Sequence, residues 1–434
     1  MPQRKRVAVL ADSDTRWKWG ALTARRLVPD HQLTGYLLRG RATPTARQLG
    51  EVGVQADRLT EVTCAEFLAG IERERYDVIV LALVGGAVQA VLHGARALWP
   101  TPCERPVLVT GYVGVVYEKL ADGLLLRHGA DVVLANSRHD AERFRAVYEG
   151  VGADASAVTE TALPFLGGAP YEPAGSGRAH AVVFAVQPSV PDGRADRAYL
   201  LERAAAHARL HPEREVLIKL RSRPGEHTTH LEEQPYQRLA ARLPGGLPPN
   251  CRLVYGNMGE VLDGAGLLVT VSSTAALESL HRGIPTAVLT DLGIREALGN
   301  HHFLGSGCLA SWDQLDAGLL PRGDPHWLAA QGVTGPAAHD AYARARARVA
   351  GLPGRLPPPD PYYTLTTAPR YLPAILARHH LAPDGTPLPG AARPTARESR
   401  LRRRLHAHLR DAARGAYRHG VQRVAPVIRR MGEL

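Results

Sequence analysis

The stretch from Gly266 to Leu289 constrains the fold of this chain more than any other. An apolar run, Leu267 to Val271, leads into three hydroxyl residues, Ser272, Ser273 and Thr274. A short helical segment follows, Gly283 and Pro285 stop it, and a second apolar run covers Thr286 to Leu289. Two short apolar runs joined by a helix are the pattern of a parallel βαβ unit. The hydroxyls suit the mouth of that helix, where side-chain oxygens cap free N–H groups and the remaining N–H groups face an anion. Glu278 lies four residues beyond Thr274, one helical turn on, and is expected beside the same mouth, where a carboxylate accepts hydrogen bonds from a ribose. A plain, well-capped βαβ unit carries the same pattern, so the rest of the chain must decide between the two.

Similar runs recur with helical stretches between them. They cover Val7–Ala11, Asp77–Leu83, Pro106–Thr110 and Asp131–Ala135, then Ala181–Val186, Glu215–Lys219, Leu253–Tyr255, Leu267–Val271 and Thr286–Leu289. This alternation predicts α/β architecture with buried parallel sheets. At 434 residues the chain exceeds one ordinary core. The glycine, proline and serine content from Gly167 to Gly177 reads as a linker. The expected organisation is a Rossmann-like domain over 1–165, a linker over 166–180, a second Rossmann-like domain over 181–345, and a proline-rich segment with a helical tail over 346–434. Ser137-Arg-His-Asp140 has capping-box spacing and is expected to open a helix.

Charge is distributed unevenly. Residues 391–434 hold 12 arginines and 3 acidic residues, which leaves the rest nearly neutral within a net charge of +11. Nucleic acid is therefore not an expected partner of the body. Leu401, Leu405, Leu409, Ala413, Tyr417 and Val421 recur every four residues, so the tail reads as a basic amphipathic helix. Its two expected fates are docking on an anionic membrane or packing on the protein. Cys64, Cys103, Cys251 and Cys308 are scattered without a Cys-x-x-Cys pair, which fits a reducing cytoplasm and no disulfide framework. The run at Val7–Ala11 is too short for a signal-peptide core or a membrane span. No His-Glu-x-x-His or similar ligand spacing stands out among the 19 histidines, so no metal is expected.

Chemistry-bearing residues collect after the apolar runs, the edge where α/β sheets bind ligands. Asp12 and Asp14 follow the first run and are candidates to take the proton from an attacking hydroxyl; an N-cap role is the plain alternative. Glu118 and Asp122 follow the run Pro106–Thr110 in the first half. In the second half, Lys219 and Arg221 are positioned to neutralise a leaving phosphate, and Gln187 follows the first run there.

Clustered serines, a glutamate one turn on, and Gly283-Ile-Pro285 before the next strand resemble the donor-binding segment of GT-B glycosyltransferases, a superfamily that includes bacterial sialyltransferases and capsule-polysaccharide transferases. The resemblance implies two Rossmann-like domains facing a cleft. It also implies a nucleotide-sugar donor whose phosphate meets Ser272, Ser273 and Thr274 and whose ribose meets Glu278, with transfer to a glycan or lipid-linked acceptor. No cofactor or metal is implied, the donor being a co-substrate. Sialyltransferase-like members carry a His-Pro pair where this chain has Leu220-Arg221, so the donor base stays open. Their carboxylate-Gly motif, in the first half, is matched there by Asp122-Gly123, so the resemblance implies Asp122 or Glu118 as the fallback base. A nucleotide-sugar 2-epimerase, a polyol-phosphate transferase on the same fold, and a non-catalytic nucleotide- or sugar-binding protein are the alternatives.

Overall fold

The computed structural model describes residues 4–40, 42–115, 120–173, 181–223, 226, 232–333 and 340–391. They form two compact units. The first takes the described residues up to Phe165, Ala330–Gly332 and residues 340–391; the second takes the described residues of Leu166–Ala329, and Val333.

The first unit is built on seven parallel strands: β1 (Lys5–Ala11), β2 (His31–Leu38), β3 (Arg58–Val62), β4 (Val78–Ala82), β5 (Val107–Gly111), β6 (Val132–Ala135) and β7 (Val158–Glu160). Their order across the sheet is β3-β2-β1-β4-β5-β6-β7. The second unit has β8 (Ala181–Ala185), β9 (Val216–Lys219), β10 (Cys251–Val254), β11 (Ala265–Thr270), β12 (Thr286–Leu289) and β13 (Leu309–Ala310), in the order β10-β9-β8-β11-β12-β13. In both sheets the chain starts in the middle, runs out to one edge, and returns to build the other half. That is the doubly wound Rossmann order, and it leaves a switch point between β1 and β4 and another between β8 and β11.

Strands buried on both faces explain why the sequence shows continuous apolar runs. In β1 and β4, Ala8, Leu10, Ile79 and Leu81 face one core, while Val7, Val9, Val78 and Val80 face the other. The expected runs all contain strands. Four strands carried too weak a signal: β2, β3, β7 and β13. β2 contains Gly35, where a Cβ would lie 2.6 Å from the Trp17 ring and 2.5 Å from Leu59, so a side chain that would strengthen the strand signal is excluded by packing. β3 is an edge strand, mostly exposed.

Helix starts follow local chemistry. Ser13 caps Asp14–Leu27, and Ser137 caps Arg138–Gly150 by accepting from the Asp140 N–H at 3.0 Å. The reciprocal half of the expected capping box is missing: Asp140 Oδ1 is buried without a hydrogen bond, 4.0 Å from Arg143, and burial pushes that carboxyl up.

Residues 346–391, expected as a segment outside both domains, instead complete the first unit. Leu356 joins one of its cores, and Leu372 and Leu376 join the other. The buried Arg105 guanidinium forks onto Asp131 at 2.8 and 2.9 Å and also donates to the Pro357 carbonyl at 2.6 and 3.0 Å. Prolines break secondary-structure periodicity, so these apolar contacts left no pattern to read. The tail after Ala391 lies outside the described residues, as does Glu118. Among the described residues no helix is long and apolar enough to cross a membrane.

Candidate functional site

In the second unit, β8, β9 and β11 are neighbours, with Ala185 opposite both Lys219 and Thr270. Whatever follows these strands emerges at one edge of the sheet, at the switch point. Gln187 and Ser272 meet there: Gln187 Oε1 accepts from the Ser272 N–H at 3.0 Å and lies 3.3 Å from its hydroxyl. The same hydroxyl donates to the Leu298 carbonyl at 2.5 Å, and Ser272 is 2% exposed. Ser272 therefore ties the turn together from inside. Ser273 donates its N–H to Thr270 Oγ1 at 3.1 Å, and its own hydroxyl accepts from the Ala275 N–H at 3.2 Å. The side-chain cap of the helix Ala275–His281 is thus Ser273, with Thr274 half-buried at the mouth in helical conformation. Glu278 is buried within this helix, 8% exposed. Lys219 is also buried, its Nζ donating to the Leu220 carbonyl at 2.7 Å, and Arg221 is half-buried.

One residue missed by the sequence reading fixes this turn. Arg197, 1% exposed, donates from one terminal nitrogen to the Gln187, Pro188 and Pro191 carbonyls at 3.0 to 3.1 Å. The other terminal nitrogen reaches Glu232 at 2.5 Å, and the guanidinium lies 4.3 Å from the centre of the Tyr236 ring. Burial pushes the Glu232 carboxyl up, against the pull of Arg197. In sequence Arg197 looks like any polar residue early in a helix, and no local signal reveals its burial.

The first unit repeats the arrangement at the β1/β4 switch point with different groups. Asp12 follows β1; Oδ1 accepts from Arg16 at 2.8 Å and Oδ2 from the Val84 N–H at 2.9 Å. Both carboxylate oxygens are committed. Asp14 is the first helical residue and half-buried, while Ser13 serves as the N-cap. Arg127 is the counterpart of Arg197. It is 5% exposed and donates to the Leu83, Gly111 and Gly123 carbonyls at 2.7 to 3.2 Å, with its guanidinium 4.1 Å from the centre of the Tyr112 ring. Asp122, beside Gly123, is exposed and accepts from the Tyr363 and Tyr371 hydroxyls at 3.0 to 3.1 Å. The rings of Tyr363 and Tyr371 lie edge to face, 5.1 Å apart.

The candidate residues thus sort by place. Gln187, Ser272, Ser273 and Thr274 form one cluster, with Lys219 in register one strand beyond β8; Asp12 and Asp14 stand together at the other switch point; Asp122 sits on its own helix. Asn300, in the Asn300–His302 stretch, is fully buried and braces the loop by donating to the Leu289 and Gly293 carbonyls. A depression of about 450 Å³ runs along edge strand β10, lined by Leu217, Arg252, Leu253, Val254, Tyr255 and Val261. It contains none of the residues above. The expectation that no histidine spacing suits a metal needs correction: His207, His211 and Asp316 place donor atoms within 4.8 Å of one another. The partner carboxylate is 109 residues from His207 in sequence, beyond any local motif.

With this geometry in hand, comparisons with known proteins are informative. The model of a family described as "Putative glycosyltransferase (DUF6716)" matches residues 7–348. No curated protein matches the chain. Among solved structures, an S. aureus MnaA structure with UDP superposes with a TM-score of 0.50 at 11% identity, over 78% of this chain and 93% of that one. A UDP-N-acetylglucosamine 2-epimerase from Rickettsia bellii gives 0.50 at 11% identity, over 76% and 94%. A glycotransferase of kitacinnamycin gives 0.40 at 14%, over 87% and 96%. The two structures at 0.50 support the fold: two Rossmann-like α/β units of GT-B type.

Proposed function

The chain belongs to the glycosyltransferase family so described, and from that premise we propose that it transfers a sugar from a nucleotide-activated donor to a glycan or lipid-linked acceptor. The observation that carries the donor half is the β8/β11 switch point, where Gln187 and Ser272 lock a hydroxyl-rich turn at the ligand edge of a Rossmann sheet. In this reading Ser272, Ser273 and Gln187 hold the turn in shape, and Thr274 with the turn's backbone meets the donor phosphate. Lys219 and Arg221 supply positive potential as negative charge develops on the leaving nucleotide. The UDP in the S. aureus structure, on the same fold, supports a nucleotide as the ligand class.

The acceptor half belongs to the first unit. A carboxylate there takes the proton from the attacking hydroxyl, and Asp122 suits this better than Asp12 because it is exposed whereas Asp12 is half-buried and ion-paired to Arg16. Tyr363 and Tyr371 beside it offer ring faces and hydroxyls of the kind that hold sugars. The reaction needs no metal in this scheme, since the cations of the second unit neutralise the phosphate. Docking of the arginine-rich 391–434 tail on an anionic membrane belongs to the same proposal.

The test is a panel of CMP, UDP, GDP, TDP and ADP followed by thermal shift, with and without EDTA. Stabilisation by one nucleotide that survives EDTA and is lost in Thr274→Val supports the reading and names the donor. No stabilisation by any nucleotide would favour a non-catalytic sugar-binding protein. Conversion of the matching nucleotide sugar without acceptor would instead reveal an epimerase.

A further inference from the structure

The C-terminal end of the helix Arg194–Leu210 carries a second constellation of reactive groups, far from the switch point. His207 and His211 stand four residues apart, which puts them on one helix face, and their rings are 4.5 Å apart between centres. Asp316, from the helix Trp312–Asp316, reaches the same place, its Oδ1 lying 2.6 Å from His207 Nδ1. Its other oxygen accepts from Arg203 at 2.9 Å. We propose that His207, His211 and Asp316 bind a divalent transition-metal cation of the zinc class.

Three observations carry this. Donor atoms from the three side chains already lie within 4.8 Å of one another, so side-chain adjustments on the order of 1 Å close a shell whose metal–ligand bonds are about 2.0–2.2 Å. His207 is 1% exposed, yet its Nε2 has no hydrogen-bond partner, and His211 Nε2 is likewise buried and unpartnered. A purely structural His–Asp bond satisfies one imidazole nitrogen and leaves these two unexplained, because a buried polar atom without a partner is costly. A cation held between Asp316 and the Nδ1 side of His207 gives the lone pair of His211 Nε2 a use. Finally, the donor set is selective: two imidazoles with one carboxylate suit zinc and its neighbours better than magnesium or calcium, which prefer all-oxygen shells.

The surroundings fit a site that braces the fold. Trp312 packs against the His207 ring at 5.5 Å and against Phe184 at 5.7 Å, which gives one wall an apolar lining. Asp316 and His211 retain about a fifth of their side-chain exposure, leaving an open side from which water completes the coordination. Ten residues of helix separate His207 from Arg197, about 15 Å along the axis, so the cation would not touch a ligand at the switch point. Its effect is to pin the helix Arg194–Leu210 to Trp312–Asp316 at the opposite end from the Gln187 turn.

Zinc binding to the full chain, stripped with chelator and dialysed, provides the test. Titration with Zn²⁺ alone, followed by calorimetry and metal analysis, is expected to show one equivalent more in the parent protein than in His211→Gln or Asp316→Asn. Each substitution should weaken that equivalent at least about tenfold. His211 sits at the helix end, so His211→Gln is expected to keep its far-UV circular dichroism, and Co²⁺ in place of zinc should give visible absorption in the parent that this variant lacks. The proposal falls if the stripped parent binds no zinc, or if both variants bind it as the parent does.

Discussion

The two switch points solve one structural problem with different chemistry. Each joins the ends of two strands through a side-chain bridge to a backbone N–H, from Asp12 to Val84 in the first unit and from Gln187 to Ser272 in the second. Each is backed by a buried arginine that donates to three carbonyls and packs on a tyrosine ring. The bridge is a carboxylate in the first unit and a neutral amide in the second. Arg197 has Glu232 as an ion-pair partner, whereas among the described residues Arg127 has none. The lesson concerns charge: an amide bridge leaves the second unit's turn free of negative potential where a phosphate is proposed to bind, and a carboxylate bridge would repel it.

The sharpest way to break this comparison is to remove the two arginines in turn. Arg197→Met leaves Glu232 buried and unpaired and should cost about 3–5 kcal/mol in urea unfolding of the second unit. Arg127→Met strands carbonyls but no carboxylate among the described residues, so its cost should be nearer 1–3 kcal/mol. Equal costs would mean that Glu232 does not distinguish the two units. The carboxylate bridge comes next. Asp12→Ala removes the acceptor of the Val84 N–H and the carboxylate facing Arg16 and should destabilise by about 1–2 kcal/mol, with Asp12→Asn recovering part of that, both read from urea midpoints.

Gln187→Glu transplants the first unit's bridge into the second. Nucleotide affinity measured by calorimetry should fall about tenfold, equivalent to about 1.4 kcal/mol, while Asp12→Asn should leave it unchanged. An undiminished affinity in Gln187→Glu would remove the turn from the binding site. The smallest effect is a pH slope. Burial raises the folded-state carboxyl of Glu232 to about 7, so the folded protein holds that proton more tightly than the unfolded chain does. Its contribution is present in acid, below the ordinary carboxylate range, and is lost as pH rises towards 7. Urea midpoints taken between pH 4.5 and 7.5 should therefore fall more steeply in the parent than in Glu232→Gln.

Much of this was legible beforehand, for identifiable reasons. The central strands of both sheets are buried on both faces, and double burial writes itself as an apolar run in β1, β4, β8 and β11. The cap at Ser137 was legible because its partner is three residues away. β2 was hidden by Gly35, and residues 346–391 by their prolines, since in both cases tertiary contacts replace the periodic pattern. At the candidate site, sequence reading located the turn at Ser272–Thr274 but did not register that Ser272 and Glu278 are buried. It missed Arg197 because a buried arginine and an exposed one look alike in sequence.

Local order along the chain therefore determined the α/β class, the strands that carry continuous apolar runs, the helix cap at Ser137 and the placing of hydroxyls and cations after strand ends. Those depend on hydrophobic spacing and on neighbours within a turn or two. That Asp12 meets the Val84 N–H, that Gln187 meets Ser272 85 residues away, and that His207 meets Asp316 were decided only when the sheets assembled. The physical reason is range: burial and side-chain partnership are set by atoms within a few ångströms in space, and the sequence carries no record of which distant residues those will be.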